Sequence, residues 1–117
     1  GMQEITRMVC RLLNVEANDV RQITRSDRSD TLVVARIMSI KLIRERCRVS
    51  LTRIARFFNL QNHATMINAL KRHEDLYETS RAYRQVYTNA RALLELDRAE
   101  RELILNFYPF VYLNNIL

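Results

Sequence analysis

Apolar residues along this chain recur at the spacing of a helix surface almost from its start. Ile5, Met8, Val9, Leu12 and Leu13 stand three and four apart, which places them on one stripe and predicts an amphipathic helix over residues 4–14. NVEANDVRQ then reads as a loop and a short helical turn, with Asn18 as its cap. TRSDRSD, residues 24–30, is polar and predicts a loop; its last residue, Asp30, can accept from the free amides that open the next helix. That helix, residues 31–47, reads TLVVARIMSIKLIRERC and is apolar around most of its circumference until Arg44. A helix greasy on nearly all sides belongs at the centre of a domain. Arg36 and Lys41 interrupt the apolar run and are expected on its one wet stripe.

SLTRIARFF follows, with Ser50 as a cap and Leu51, Ile54, Ala55 and Phe58 at i, i+3, i+4 and i+7, which predicts a helix of about two turns. After NLQ, Asn62 stands where another cap is expected. Met66, Ile67, Leu70 and Tyr77 mark the buried stripe of a helix running to about residue 77. Two short helices joined by a tight turn form a helix-turn-helix, whose second helix exposes its opening residues. Ser80 starts a further long helix with Tyr83, Val86, Tyr87, Ala90, Leu93 and Leu94 on one face, and its period runs on into LDRAERELIL. The last segment, FYPFVYLNNIL, is apolar, short and broken by Pro109, which suits packing on the domain or on a second copy. The expected fold is all-α: a multi-helix domain with a helix-turn-helix around a buried central helix, then a long C-terminal helix and an apolar tail.

Composition narrows the chemistry. In 117 residues there is one Gly and one Pro, and Gly1 precedes a Met2 that reads as the native start. Strand turns and phosphate-cradling loops lean on glycine, so β-rich and nucleotide-cradling designs are disfavoured. His63 and His73 are ten residues apart, about 80° around a helix and about 15 Å along its axis, so they cannot share one ion. Neither Cys10 nor Cys47 has a neighbouring ligand, and both read as buried thiols of a reducing compartment. No nucleophile motif stands out, so neither an enzyme nor a cofactor is expected. No uninterrupted apolar run is long enough to span a bilayer, and no secretory pattern opens the chain, so a cytoplasmic protein is expected.

Charge changes the picture more than composition does. The formal net charge is +6, yet residues 31–73 hold nine Lys or Arg against one acid, Glu45, giving +8. Seventeen of the nineteen basic residues are Arg, whose planar fork suits phosphates and base edges. A basic middle between near-neutral ends points to a polyanion. A recognition helix presents its N-terminal residues to base edges in the major groove, here Asn62, His63, Ala64 and Thr65. Asn pairs with adenine and Thr meets a thymine methyl. Arg44, Arg46, Arg48, Arg53 and Arg56 surround the helix pair and are candidates for phosphates. Asn62 also reads simply as a helix cap; that leaves exposed His63, Thr65 and the charge of the middle unexplained.

The stretch VVARIMSIKLIRERCRVSLTRIARFFNLQNHATMINALKR resembles the C-terminal DNA-binding domain of the bacterial replication initiator DnaA. The resemblance rests on Ala35-Arg36 opening the long helix, Ser50-Leu51 with Ile54 and Phe58, and Gln61-Asn62-His63-Ala64-Thr65-Met66 with Ala69. It implies a Trp-repressor-like fold over residues 2–96, with 97–117 a helical extension and tail. It also implies that Arg28, beside Ser29, enters the minor groove. Arg36 is then expected at the major groove and Arg44 on phosphate, with Ser50, Leu51 and Thr52 near the backbone and His63 and Thr65 retained from the reading helix. The family's ATPase module is not in this chain, so a detached reader domain is implied.

QNHAT departs from the family's RDHTT: Asn62 replaces an Asp, Ala64 lacks a hydroxyl and Gln61 lacks a charge, while Thr52 replaces a usual Pro. Asp accepts from the cytosine amino group whereas Asn favours adenine, so an altered target is expected. The expected partner is double-stranded DNA, with a homodimer or protein partner through the C-terminal region. The competing reading is a protein-interaction module that kept the fold and lost DNA.

Overall fold

A computed structural model describes residues 1–23 and 30–107, and within them the chain is helical without strands. Among the described residues seven helices are formed: α1 (Met2–Leu13), α2 (Ala17–Arg21), α3 (Asp30–Arg46), α4 (Leu51–Phe57), α5 (Ala64–Thr79), α6 (Arg81–Glu95) and α7 (Arg98–Phe107). The fold is all-α, as the periodicity predicts.

α3 is the central helix. Ala35, Ile37, Met38, Ser39, Ile40, Leu42 and Ile43 are buried around it, and α1, α2, α4 and α5 pack against it. Its apolar residues lie on nearly all sides because it has neighbours on nearly all sides. α6 covers α1 and α5 with the stripe read from the sequence, and all six of its expected residues are buried.

Helix ends follow local chemistry. Ser50 Oγ accepts from the Arg53 amide at 3.1 Å, so the expected cap forms, and Ser80 Oγ accepts from the Tyr83 amide at 3.1 Å, which makes Ser80 the cap of α6. Asn14 (φ 57°) and Asn59 (φ 58°) take the left-handed conformation after α1 and α4. Glycine is the usual occupant of such positions, and Asn is its common substitute because its short amide finds local partners.

Four expectations need correction. Asn18 does not cap α2: the helix already includes it, and Glu16 precedes the first turn. On α5 the buried residues are Met66, Ala69 and His73, whereas Ile67 and Tyr77 are 40% and 37% exposed. The stripe therefore keeps Met66 but is turned by roughly 60° from the apolar pattern, with an imidazole filling a core position. The long last helix is two helices. Leu96 turns extended, and Asp97 Oδ1 accepts from the Glu100 amide at 2.9 Å, restarting the chain as α7. Finally, Arg36 is not on a wet stripe. It is half-buried, with its guanidinium on carbonyls of neighbouring helices.

α7 lies along α1. Leu105 is buried, Arg101 donates to Glu4 at 2.5 Å, and Arg11 donates to Glu102 at 2.8 Å and to Asn106 at 2.5 Å. The apolar tail beyond Phe107 lies outside the described residues.

Candidate nucleic-acid interface

The opening of α5 is built from backbone geometry upward. His63 already has helical dihedrals (φ −67°, ψ −16°), so the residue that caps the helix is Asn62. Its Oδ1 accepts from the Ala64 amide at 2.8 Å, and its backbone carbonyl accepts from Thr65 at 3.1 Å. This is an Asx turn leading into a helix, and it fixes where the next side chains point. Gln61, Asn62, His63, Ala64 and Thr65 are all exposed. A solvent-facing row opening a helix whose next residue, Met66, is fully buried presents side chains on a rigid base.

Two depressions flank this row. One, of about 550 Å³, is lined by Thr52, Arg56 and Asn59 together with Gln61, Asn62 and His63. The other, of about 400 Å³, has Val33, Ile37, Ile40 and Leu60 among its apolar walls and Arg36, Thr65, Asn68 and Arg72 among its polar ones. Asn68 and Arg72 escaped the sequence reading. Their signal was present, since 65, 68 and 72 follow the helical interval, but attention to the first turn passed over it.

The other expected residues are distributed around this site. Ser50 and Thr52 are exposed at the start of α4, where Ser50 acts as cap, while Leu51 is half-buried against the core. Arg44, exposed near the end of α3, donates to the Val49 carbonyl at 3.0 Å. Arg36 reaches the second depression, with Nε engaged on the Val20 carbonyl at 3.1 Å and Nη2 on those of Arg21 and Phe58 at 3.4 and 3.5 Å. Burial lowers its pKa from the ordinary guanidinium value. Arg46 is engaged elsewhere, donating to Glu95 at 2.8 Å and to the Leu94 carbonyl at 3.1 Å. Arg28 and Ser29 lie outside the described residues.

The electrostatics favour an anion from outside. Neither α4 nor α5 has an acid in its first turn, where helices commonly place one to complement their positive dipole end. Glu45, the one acid of residues 31–73, is held by Tyr87, Lys41 and Arg91 at the contact of α3 with α6. Among the described residues no ion pair involves Arg48, Arg53 or Arg56. Nor do the described residues contain a cluster of ligands that could hold a metal, or a helix long and apolar enough to cross a membrane.

A short helix, a turn and a second, longer helix whose opening is exposed and free of acids define a helix-turn-helix of the DNA-binding class. A family model described as the bacterial DnaA protein helix-turn-helix matches residues 2–72. The chain belongs to that family, and its partner class is double-stranded DNA. No curated protein and no solved structure matches it. The match ends within α5, so α6, α7 and the anchoring of α7 to α1 lie beyond it.

Proposed function

We propose that this chain reads a specific duplex sequence through Gln61–Thr65, that its target differs from the family's own, and that it acts by binding, without catalysis. The observation that carries this reading is the row of five exposed residues opening α5 between two depressions, each with at least one arginine in its lining, and with no acid in the first turn. Thr52, Arg53 and Arg56 on α4 supply phosphate contacts beside it, and Arg44 and Ser50 extend that contact. The altered target rests on Asn62. With Oδ1 committed to the Ala64 amide, it offers its NH₂ group, a donor where the family's Asp offers an acceptor. Cytosine, whose major-groove edge is itself a donor, is therefore a poor match, and a base with an acceptor edge a good one.

Binding of random-sequence duplex across a salt series tests the general claim. Affinity should fall steeply with salt, and Arg53→Ala and Arg56→Ala should each flatten the slope by about 0.9, the share of one phosphate. No binding at low salt ends the reading. Selection of preferred sites by wild type and Asn62→Asp then tests the finer one: the variant should move towards cytosine at one position, and identical selected motifs would show that Asn62 reads nothing.

The interaction-module alternative draws on Lys41–Glu74 and Arg46–Glu95, which tie the basic central helix to residues beyond 73. Those pairs leave Arg53, Arg56 and the whole Gln61–Thr65 row untouched, so DNA remains the better occupant of this face.

A further inference from the structure

The turn between α4 and α5 is held from behind by a knot of three side chains. α2 and α4 end side by side, and their last carbonyls, the negative ends of two helix dipoles, converge there. Arg36, reaching across from α3, donates Nε to the Val20 carbonyl at 3.1 Å and Nη2 to those of Arg21 and Phe58 at 3.4 and 3.5 Å. Arg21 donates Nε to the Phe57 carbonyl at 2.9 Å, and its guanidinium lies 4.0 Å from the centre of the Phe57 ring. Asn59, left-handed at φ 58°, donates Nδ2 to the Arg21 carbonyl at 3.1 Å. Beneath them Phe58 is fully buried.

The consequence is geometric. Asn59, Leu60 and Gln61 form the turn, so whatever fixes the end of α4 fixes where Asn62 starts α5. We infer that Arg21, Arg36 and Asn59 are positioning residues for DNA recognition: they set the angle at which α5 is presented and touch no nucleotide. This rests on the reading above that Gln61–Thr65 meet DNA, and it departs from the expectation that Arg36 contacts the groove. A guanidinium already satisfying three carbonyls cannot leave for a phosphate without stranding them.

The salt dependence of affinity separates positioning from contact, because only a lost phosphate contact changes its slope. The comparison uses Arg36→Ala, Arg36→Lys and Asn59→Gly, with Arg53→Ala as the contact control. Lys keeps the charge of Arg36 without its fork, and Gly keeps the left-handed backbone of Asn59 without its amide. Arg36→Ala, Arg36→Lys and Asn59→Gly should each weaken duplex binding about tenfold, comparable to one lost base contact, along lines parallel to wild type. Amide hydrogen exchange at Ala64–Ile67 should quicken in the same three variants, including the two milder ones if Arg36→Ala fails to fold. A slope for Arg36→Ala shallower by about 0.9, restored by Arg36→Lys, would make Arg36 a phosphate contact and overturn the inference. Unchanged affinity in all three variants would overturn it equally. Should wild type bind no duplex at all, the DNA reading fails, while quickened exchange at Ala64–Ile67 would still establish that the knot sets the start of α5.

Discussion

Between α1 and α7, and between α3 and α6, arginines face glutamates; on α4 they face water. Arg101 is 8% exposed and donates to Glu4, to the Leu93 carbonyl at 3.2 Å and to the Leu96 carbonyl at 3.3 Å. Arg11 and Arg46 meet Glu102 and Glu95. Arg53 and Arg56, equally charged, have no acid against them among the described residues and stand exposed on α4. The difference shows what decides an arginine's job. With carbonyls and a carboxylate around it, the fork closes a helix end and fastens two elements. With neither, its potential remains available to an outside anion.

The sharpest way to break this contrast is to remove one member of each set. Arg101→Met keeps the aliphatic stem but removes donors from Glu4 and from two carbonyls at the end of α6. It should cost about 2–3 kcal/mol of stability, read from the urea midpoint, since hydrogen bonds from a charged group are among the stronger ones. Its duplex-binding salt slope should stay that of wild type. Arg53→Ala should do the reverse, leaving stability within about 0.5 kcal/mol while flattening the slope. A destabilised Arg53→Ala, or an Arg101→Met as stable as wild type, would erase the distinction. Glu4 adds a pH test: the hydrogen bond from Arg101 lowers its pKa, so its contribution is present above the ordinary carboxylate range and drains away as pH falls through the folded value.

Much of this was legible in sequence because it depends on neighbours along the chain. The serine caps, the α6 stripe and the exposed opening of α5 all follow from residues within two turns of one another. Other features depend on residues brought from elsewhere. Arg36 looked wet because nothing local reveals that α2 and α4 end beside it. His73 was invisible as a core residue because an imidazole breaks an apolar pattern, and Ile67 drew the stripe to the wrong side. The break before α7 was readable and missed: Asp97 and Glu100 have the spacing of a capping box, and periodicity alone carried the helix through it. For the interface, Gln61–Thr65 announced themselves and Asn68 and Arg72 follow Thr65 at the helical interval, while Asn59 needed the packing of helices.

His73 sharpens the comparison from inside the molecule, joining the reading helix to the anchoring end. Its Nδ1 lies 2.7 Å from the Tyr83 hydroxyl, and its ring packs edge-on against Tyr87, which in turn donates to Glu45. Burial first, then Lys41, lowers its pKa, while Glu74 and Glu45 oppose that. The folded ring therefore stays neutral where the unfolded one, titrating near ~6.5, takes a proton. Below about that pH the unfolded chain binds more protons, so stability should fall as pH decreases and level off once the folded ring itself protonates. His73→Gln should be less stable at neutral pH yet flat across that interval. An equal slope in both proteins would assign the dependence to another group.

The smallest effect belongs to the most conspicuous surface pair. Arg11 and Glu102 approach to 2.8 Å, but their side chains are 38% and 48% exposed. Water screens them, and holding two long side chains together costs rotamer entropy, so a double-mutant cycle with Arg11→Ala and Glu102→Ala should return a coupling of only about 0.2–1 kcal/mol. Half-molar salt should reduce it further, because the screening length then falls to a few ångströms. The fastening of α7 to α1 would then rest on Arg101 and buried Leu105, with Arg11 a minor contributor. A coupling as large as the Arg101 effect would mean instead that α7 is held by its rim, and that charge at the anchoring end acts as strongly in water as it does under cover.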